Sequence, residues 1–152
     1  MFFHRTRIKQ DIDDYDKCEI YLTDNKLTRK REVQFLGIMI DERLSYESHI
    51  KLIEQKLKAV TPLCYRMSNL ISDKVKNLLY SSLIESILNY GAELYMGCSK
   101  SNKRKLQILQ NRIIRILFRV GIGSTYSESR ESMFRRLSFM NIESIGNYNL
   151  GI

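Results

Sequence analysis

The sequence predicts a mainly α-helical chain in which a short N-terminal β-hairpin is followed by an amphipathic helical bundle. Apolar residues recur at helical spacing from Tyr46 onward, and strand-like apolar runs are confined to the first 43 residues. Proline occurs once and glycine seven times in 152 residues, so we expect helices joined by short polar loops. These observations divide the chain into residues 1–43, 44–120 and 121–152.

Two strand candidates lie in the N-terminal part. The run "CEIYLT" alternates loosely, "DNK" is a turn signal and "VQFLGIMI" is a second apolar run, which together predict an antiparallel hairpin. Gly37 falls inside the second run, where glycine marks a bulge or a close approach by another backbone or a ligand. From the residues alone, a structural bulge and a ligand-facing position are equally open.

Three longer helices are expected after this hairpin. The first has Ser45 as N-cap, a kink or break between Lys58 and Pro62, and an apolar face of Tyr46, Ile50, Ile53, Leu57, Val60, Cys64, Met67 and Ile71. The second begins at Ser72, ends near Gly91 and turns inward Val75, Leu78, Leu79, Ser82, Leu83, Ile87 and Tyr90. The third, "KRKLQILQNRIIRILFRV", buries Leu106, Leu109, Ile113, Ile116 and Val120. A shorter helix is predicted around residues 129–137.

The charge distribution favours a polyanionic partner. The net charge is +8, and no acidic residue occurs from Leu94 to Ser127. Within this stretch, one side of the third helix carries Lys105, Arg112, Arg115 and Arg119 at spacings of seven, three and four. Such a stripe is either an ordinary solvated face or a surface that follows a phosphate backbone. The interleaved Gln107, Gln110 and Asn111 favour phosphate and sugar contacts over an anionic membrane surface.

Residues for catalysis or metal binding are sparse. His4 and His49 lack cysteine or carboxylate neighbours at metal-ligand spacing, and no glycine-rich phosphate loop occurs. Adjacent aspartates in "DIDDYD" could hold magnesium, but no apolar strand orients them, so a solvated loop is favoured. We therefore predict no catalytic residue and no metal site.

Cys18, Cys64 and Cys98 are interpreted as reduced, half-buried thiols of an intracellular protein. No apolar run could span a membrane, and "MFFHRTRIKQ" does not read as a signal peptide.

Several short motifs occur in a fixed order. They are Phe35-Leu36-Gly37 with Ile38, Ile40 and Asp41; Leu44-Ser45-Tyr46 with His49-Ile50; Leu79-Tyr80, Ser82-Leu83-Ile84 and Leu88-x-Tyr90-Gly91; and Leu106-Gln107-x-Leu109-Gln110-Asn111-Arg112-x-x-Arg115-Ile116. In this order the sequence resembles the reverse transcriptases of non-LTR retrotransposons, the jockey-like and related LINE-type elements. Tyr46 stands where that family usually has tryptophan.

The resemblance implies a role for each part of the chain. Residues 1–43 would be the end of the palm, with Phe35, Leu36 and Gly37 as a primer-grip-like segment. Residues 44–120 would form a thumb-like helical domain, and residues 121–152 the start of a connector. The partner would be an RNA/DNA duplex, contacted through its backbone by Lys103, Arg104, Lys105, Arg112, Arg115 and Arg119. The missing palm and fingers of the parent polymerase would be a second partner, and the location would be nucleus or cytoplasm.

The same resemblance implies that catalysis needs residues beyond these. The intact family enzyme uses palm aspartates and two magnesium ions, and Asp13-Asp14 does not match that motif because Asp11 occupies its aromatic position. We therefore expect an upstream-truncated chain with no cofactor of its own, inactive alone and retaining non-specific primer–template binding. A helical protein-interaction module and a decayed, non-functional retrotransposon relic are the alternatives.

Overall fold

The chain is dominated by helices in the computed structural model, which describes residues 21, 22, 25, 26, 28, 30–120, 134, 135 and 137–151. Two small antiparallel hairpins come first: Tyr21–Leu22 (β1) with Asn25–Lys26 (β2), and Glu32–Phe35 (β3) with Ile38–Asp41 (β4). The helices are Glu47–Met67 (α1), Asp73–Leu79 (α2), Ser86–Asn89 (α3), Ala92–Tyr95 (α4), Lys100–Phe118 (α5) and Ile142–Leu150 (α6). A π-helical segment, Tyr80–Glu85, joins α2 to α3. The predicted fold class is confirmed.

The strand pairing differs from the sequence prediction. "VQFLGIMI" is not one strand but a complete hairpin, in which Phe35 pairs with Ile38 and Val33 with Ile40. Leu36 and Gly37 form the reversal with φ of 46° and 79°, and positive φ at both central residues is what a two-residue hairpin turn of type I′ requires. An apolar leucine in the turn conceals the reversal in the sequence. Gly37 is therefore a turn residue and not a bulge within a strand.

The last residue of β4 organises the start of α1. The Asp41 carboxylate accepts the backbone N–H groups of Arg43, Ser45 and Tyr46 at 3.0, 3.0 and 2.7 Å, and the Ser45 hydroxyl at 3.1 Å. Partial burial opposes ionisation of this carboxyl, but these hydrogen bonds outweigh it and lower the pKa of Asp41. The N-cap is Tyr46, in the left-handed conformation, so the prediction of Ser45 as N-cap is wrong.

Helix α1 presents the predicted apolar face to the core. Ile50, Ile53, Leu57 and Cys64 are buried along it. No break occurs between Lys58 and Pro62, because the helix runs from Glu47 to Met67 with Pro62 inside it; the alternative expected there, a kink, stays a prediction. Proline removes one backbone donor there, and the neighbouring Thr61 hydroxyl donates to the Leu57 carbonyl at 2.8 Å.

The segment from α2 to α3 turns a different face inward from the one predicted. Val75, Leu78 and Tyr90 are 45%, 70% and 54% exposed, whereas a constant step of four residues is buried: Lys76, Tyr80, Ile84 and Leu88. In a regular α-helix a four-residue step drifts around the axis. The wider π turn offsets that drift and keeps the four residues on one side. Leu79, Leu83 and Ile87, from the predicted set, pack at the edge of the core.

The core lies chiefly between α1 and α5, and α6 packs against α4 and α5. Leu106 and Ile113 are buried as predicted, while Leu109, Ile116 and Val120 are only partly buried. Cys64 and Cys98 are free and buried rather than half-buried, and burial raises the pKa of both thiols. Cys18 lies outside the described residues.

The C-terminal part contributes a helix that the sequence analysis does not predict. α6 buries Ile142 and Ile145 against the core. Of the helix predicted around 129–137, Phe134, Arg135 and Leu137 are helical, and the remaining positions lie outside the described residues. None of the helices in the described ranges is both long and apolar enough to cross a membrane.

Candidate nucleic-acid interface

The charged residues on the outer face of α5 are all cations. Lys105, Arg112 and Arg115 are exposed on this helix, and Arg119 is exposed immediately after it. We call these four residues the outer stripe. They lie opposite the buried face, which consists of Asn102, Leu106, Gln110, Ile113, Ile114 and Leu117. Arg112 and Arg115 line a shallow depression of about 570 Å³ together with Ile108, Asn111 and Ile116.

Arg119 is held differently from the other members of the outer stripe. It caps α5 in the left-handed conformation with φ of 55°. Its guanidinium donates to the Asn69 side-chain carbonyl in the turn after α1. This contact fixes the direction of the side chain, and part of its hydrogen-bonding capacity remains for a ligand.

The other two predicted backbone-contacting residues face elsewhere. Lys103 and Arg104, with Lys100, line a cleft of about 540 Å³ between the first turns of α5 and α6. The remaining lining residues are Gln107, Asn141, Ile142 and Glu143. We call this the basic cleft. The six residues predicted from the sequence therefore form two groups on α5, turned apart by about a third of a turn.

These cations are not neutralised within the described part of the chain. Lys58 pairs with Glu54 at 3.3 Å and Lys76 with Asp73 at 2.9 Å, but no cation of α5 forms an ion pair with another described residue. The first turn of α5 has no acidic residue, although cations near the positive end of a helix are unfavourable. The helix that carries these charges therefore gains no stability from them at its N-terminal end.

The primer-grip-like residues lie at the tip of the β3–β4 hairpin. Phe35 and Leu36 are 61% and 74% exposed. The Tyr90 hydroxyl donates to the Leu36 carbonyl, and a Cβ added to Gly37 would lie 3.5 Å from the Tyr90 ring. The structure thus brings together two motifs that are more than fifty residues apart, and the close neighbour of Gly37 is a side chain of this chain.

The side chain of His49, on α1, contacts the β3–β4 hairpin. Its side chain is buried, its Nδ1 accepts the Met39 N–H at 3.4 Å, and its ring lies tilted against Tyr95 with centroids 5.4 Å apart. Among the described residues, none is a hydrogen-bond partner for Nε2. Burial, with a smaller contribution from Lys56, lowers the pKa of His49. Because Nδ1 acts as acceptor, the neutral ring carries its proton on Nε2.

Two glutamines assigned to nucleic-acid contact serve the fold instead. Gln110 is fully buried, and its amide donates to the Tyr80 hydroxyl and the Met140 carbonyl, both at 2.8 Å. The Gln107 carbonyl accepts the Ile142 N–H at 2.9 Å, and its amide donates to Gln110 and Asn111. The sequence contained a signal of this structural role, because Gln110 is a polar residue at the centre of an apolar helical face.

Within the described residues, no three side chains of histidine, cysteine, aspartate or glutamate come close enough together to hold a metal ion. His4 and the aspartates of residues 11–16 lie outside the described residues.

Comparison with known proteins identifies relatives of one kind. No protein-family model and no solved structure matches the chain. The probable RNA-directed DNA polymerase from transposon BS of Drosophila melanogaster is 31% identical over 101 residues, which cover 60% of this chain and 10% of that protein. The RNA-directed DNA polymerase from mobile element jockey, from the same organism, is 31% identical over 104 residues, or 64% of the chain and 11% of the relative.

A third relative agrees with these two. The probable RNA-directed DNA polymerase from transposon X-element, also of Drosophila melanogaster, is 21% identical over 101 residues. The chain spans about one tenth of the length of the curated relatives it matches. The chain is therefore a relative of the jockey-like reverse transcriptases of non-LTR retrotransposons, as its motifs indicate.

Proposed function

We propose that this chain binds nucleic acid through the phosphate backbone, without choice of sequence. The observation that carries the proposal is the outer stripe, an exposed helical face with charges of one sign and no carboxylate on the helix. Arginine and lysine bind phosphates and release condensed counterions, which supplies affinity without reading bases. A face that served only for solvation would gain more from mixed charges.

The dimensions of α5 suit this role. From Lys105 to Arg119 the helix rises about 21 Å at 1.5 Å per residue. One DNA strand carries a charge about every 3.4 Å along the duplex axis. The outer stripe can therefore lie along about six phosphates, and Arg112 and Arg115 stand at its centre.

Within a polymerase of the kind the relatives are named for, the bound nucleic acid would be a primer–template duplex. The exposed hairpin tip, Phe35 and Leu36, would then meet the end of the primer, and the helices would grip the duplex. The Tyr90–Leu36 hydrogen bond supports this part of the proposal, because it holds the tip at a set position beside α3.

A salt titration tests the proposal. If five phosphates are contacted, affinity for a duplex should fall roughly 500-fold between about 50 and 200 mM salt. Reversing two charges, Arg112→Glu with Arg115→Glu, should abolish measurable binding by fluorescence anisotropy. A charge-matched control, Lys51→Glu with Lys74→Glu, alters exposed lysines of α1 and α2 and should weaken binding far less. A flat salt dependence, or an equal loss in both double variants, would contradict the proposal.

A helical protein-interaction module is the second candidate. It is favoured by the exposed apolar residues Leu70, Val75 and Leu78, which are 76%, 45% and 70% exposed around the start of α2. A protein partner held there would be lost in Val75→Ser with Leu78→Ser and retained in the Arg112 and Arg115 reversal. The opposite pattern, with nucleic acid as the ligand, favours the first candidate.

A further inference from the structure

We propose that the basic cleft is a separate pocket for a phosphate monoester, supplied by the phosphorylated end of a nucleic-acid strand or by a free mononucleotide. This goes beyond backbone binding by the outer stripe, because the ligand is a terminal phosphate. It also involves different side chains. The two sites can therefore be tested independently.

The charges of the cleft suit a phosphate monoester. Lys100, Lys103 and Arg104 occupy neighbouring positions at spacings of three and four on one side of α5. Among the described residues that line the cleft, Glu143 is the one acid, so the charges of these side chains sum to about +2. A phosphate monoester carries about −1.5 to −2 at pH 7, whereas a phosphodiester within a strand carries one negative charge. Arg104 adds a planar fork of donors that can bind two phosphate oxygens together.

The walls of the cleft are already in place. The Ile142 N–H donates to Gln107 and the Ser144 N–H to the Asn141 side chain, at 2.9 and 2.8 Å. The first bond joins α5 to the start of α6, and the second caps α6 itself; both occupy backbone N–H groups that could otherwise donate to the ligand. The lysine and arginine side chains are therefore the direct ligands, and the bonded walls hold their separation. The positive ends of both helices lie at the cleft and add to the attraction for an anion.

The size of the cleft agrees with more than a bare phosphate ion. Its volume of about 540 Å³ lies within the range of pockets that bind small molecules. A nucleoside attached to the phosphate can therefore enter with it. The Asn141 side-chain amide, which also lines the cleft and is partly exposed, can contact the sugar or the base.

The test compares two short DNA strands of identical sequence, one with a 5′-phosphate and one with a 5′-hydroxyl, on the full chain. The phosphorylated strand should bind roughly tenfold more tightly, as expected for one additional charged hydrogen-bonding group. Lys103→Gln with Arg104→Gln should remove this preference. Lys105→Gln with Arg112→Gln removes the same charge from the outer stripe, and should weaken both strands while the preference persists.

Two further measurements complete the test. Arg104→Lys keeps the charge but loses the fork, and should reduce the preference partially without disturbing the fold. Competition by adenosine monophosphate or inorganic phosphate identifies a free small phosphate as the ligand, and its failure identifies the strand end. Equal binding of both strands by the unaltered protein, or a preference that survives in the Lys103 and Arg104 double variant, overturns the proposal. Neither result depends on the salt titration of the duplex.

Discussion

Gly91 lies just after α3 with φ of 68°, and a Cβ added there would lie 2.5 Å from Ile38 Cδ1. Gly37 faces the Tyr90 ring across the same junction. The pair Tyr90-Gly91 thus meets the hairpin residues Leu36 to Ile38. The motifs Leu36-Gly37 and Tyr90-Gly91 are therefore explained first by packing, because their residues permit the close approach of hairpin and helix.

Replacing Gly91 by alanine should destabilise the protein by about 2–4 kcal/mol, through left-handed strain and a steric clash together. Gly151→Ala is the matched control, since Gly151 has φ of 71° but nothing within 4 Å of an added Cβ. Its cost should be about 1 kcal/mol, from backbone strain alone. Denaturant unfolding measures both, and equal costs would contradict the packing explanation.

His49 should make stability depend on pH. Its pKa in the folded protein is lowered from 6.5, so the unfolded chain binds the proton more readily. The stability that neutral His49 contributes is therefore present above about pH 6.5 and is lost progressively as the pH falls below that value. His49→Gln cannot titrate, so the difference in unfolding free energy between unaltered protein and variant should shrink on acidification. Parallel pH profiles would show that His49 does not titrate differently on folding.

Elements with a regular spacing of apolar residues could be predicted from the sequence, whereas segments with irregular backbone could not. The apolar face of α1 follows directly from steps of three and four. The π turn at Tyr80–Glu85 moves the buried face of the next segment to Lys76, Tyr80, Ile84 and Leu88, which a calculation at fixed helical period misses. Likewise, a turn made of Leu36 and Gly37 leaves no polar interruption in the run, so the hairpin resembles one strand.

Helix α6 had a weaker signal in the sequence. Asn141 caps it by accepting the Ser144 N–H, and Glu143 lies in its first turn, both of which are recognisable start signals. Gly146 inside the helix argues against that assignment. The glycine at position 146 is explained only by packing, because a Cβ there would lie 3.1 Å from the Met96 side chain.

Gln110 connects three parts of the fold, so its loss should be costly. Gln110→Leu removes the amide that serves the Tyr80 hydroxyl and the Met140 carbonyl, and should lower the free energy of unfolding by about 1–3 kcal/mol per group left unsatisfied. Gln55→Leu makes the same change at an exposed position of α1 and should alter stability by less than about 0.5 kcal/mol. Similar thermal unfolding of the two variants would show that Gln110 is not structural.

Across the whole molecule, the net charge of +8 is concentrated on one helix. Six lysines and arginines lie within α5 and no acid does. The effect of these cations on the stability of α5 differs between the two ends of the helix. Lys100 lies at the positive N-terminal end, where a cation is unfavourable, and Arg115 lies in the last turn, where a cation is favourable. If the charges are present for an anionic partner, reversing them should change stability in opposite directions at these two positions and weaken binding at both.

Reversal of each charge separates these effects. Lys100→Glu should raise the free energy of unfolding by about 0.3–1 kcal/mol, because an acid at the first helical position complements the helix dipole. Arg115→Glu should lower it by a similar amount. Both changes should weaken nucleic-acid binding, since each places a negative charge near the phosphates. Chemical denaturation and fluorescence anisotropy on the two variants measure both quantities. A Lys100 variant that is more stable yet binds as tightly as the unaltered protein would show that the N-terminal charges of α5 serve no anionic ligand.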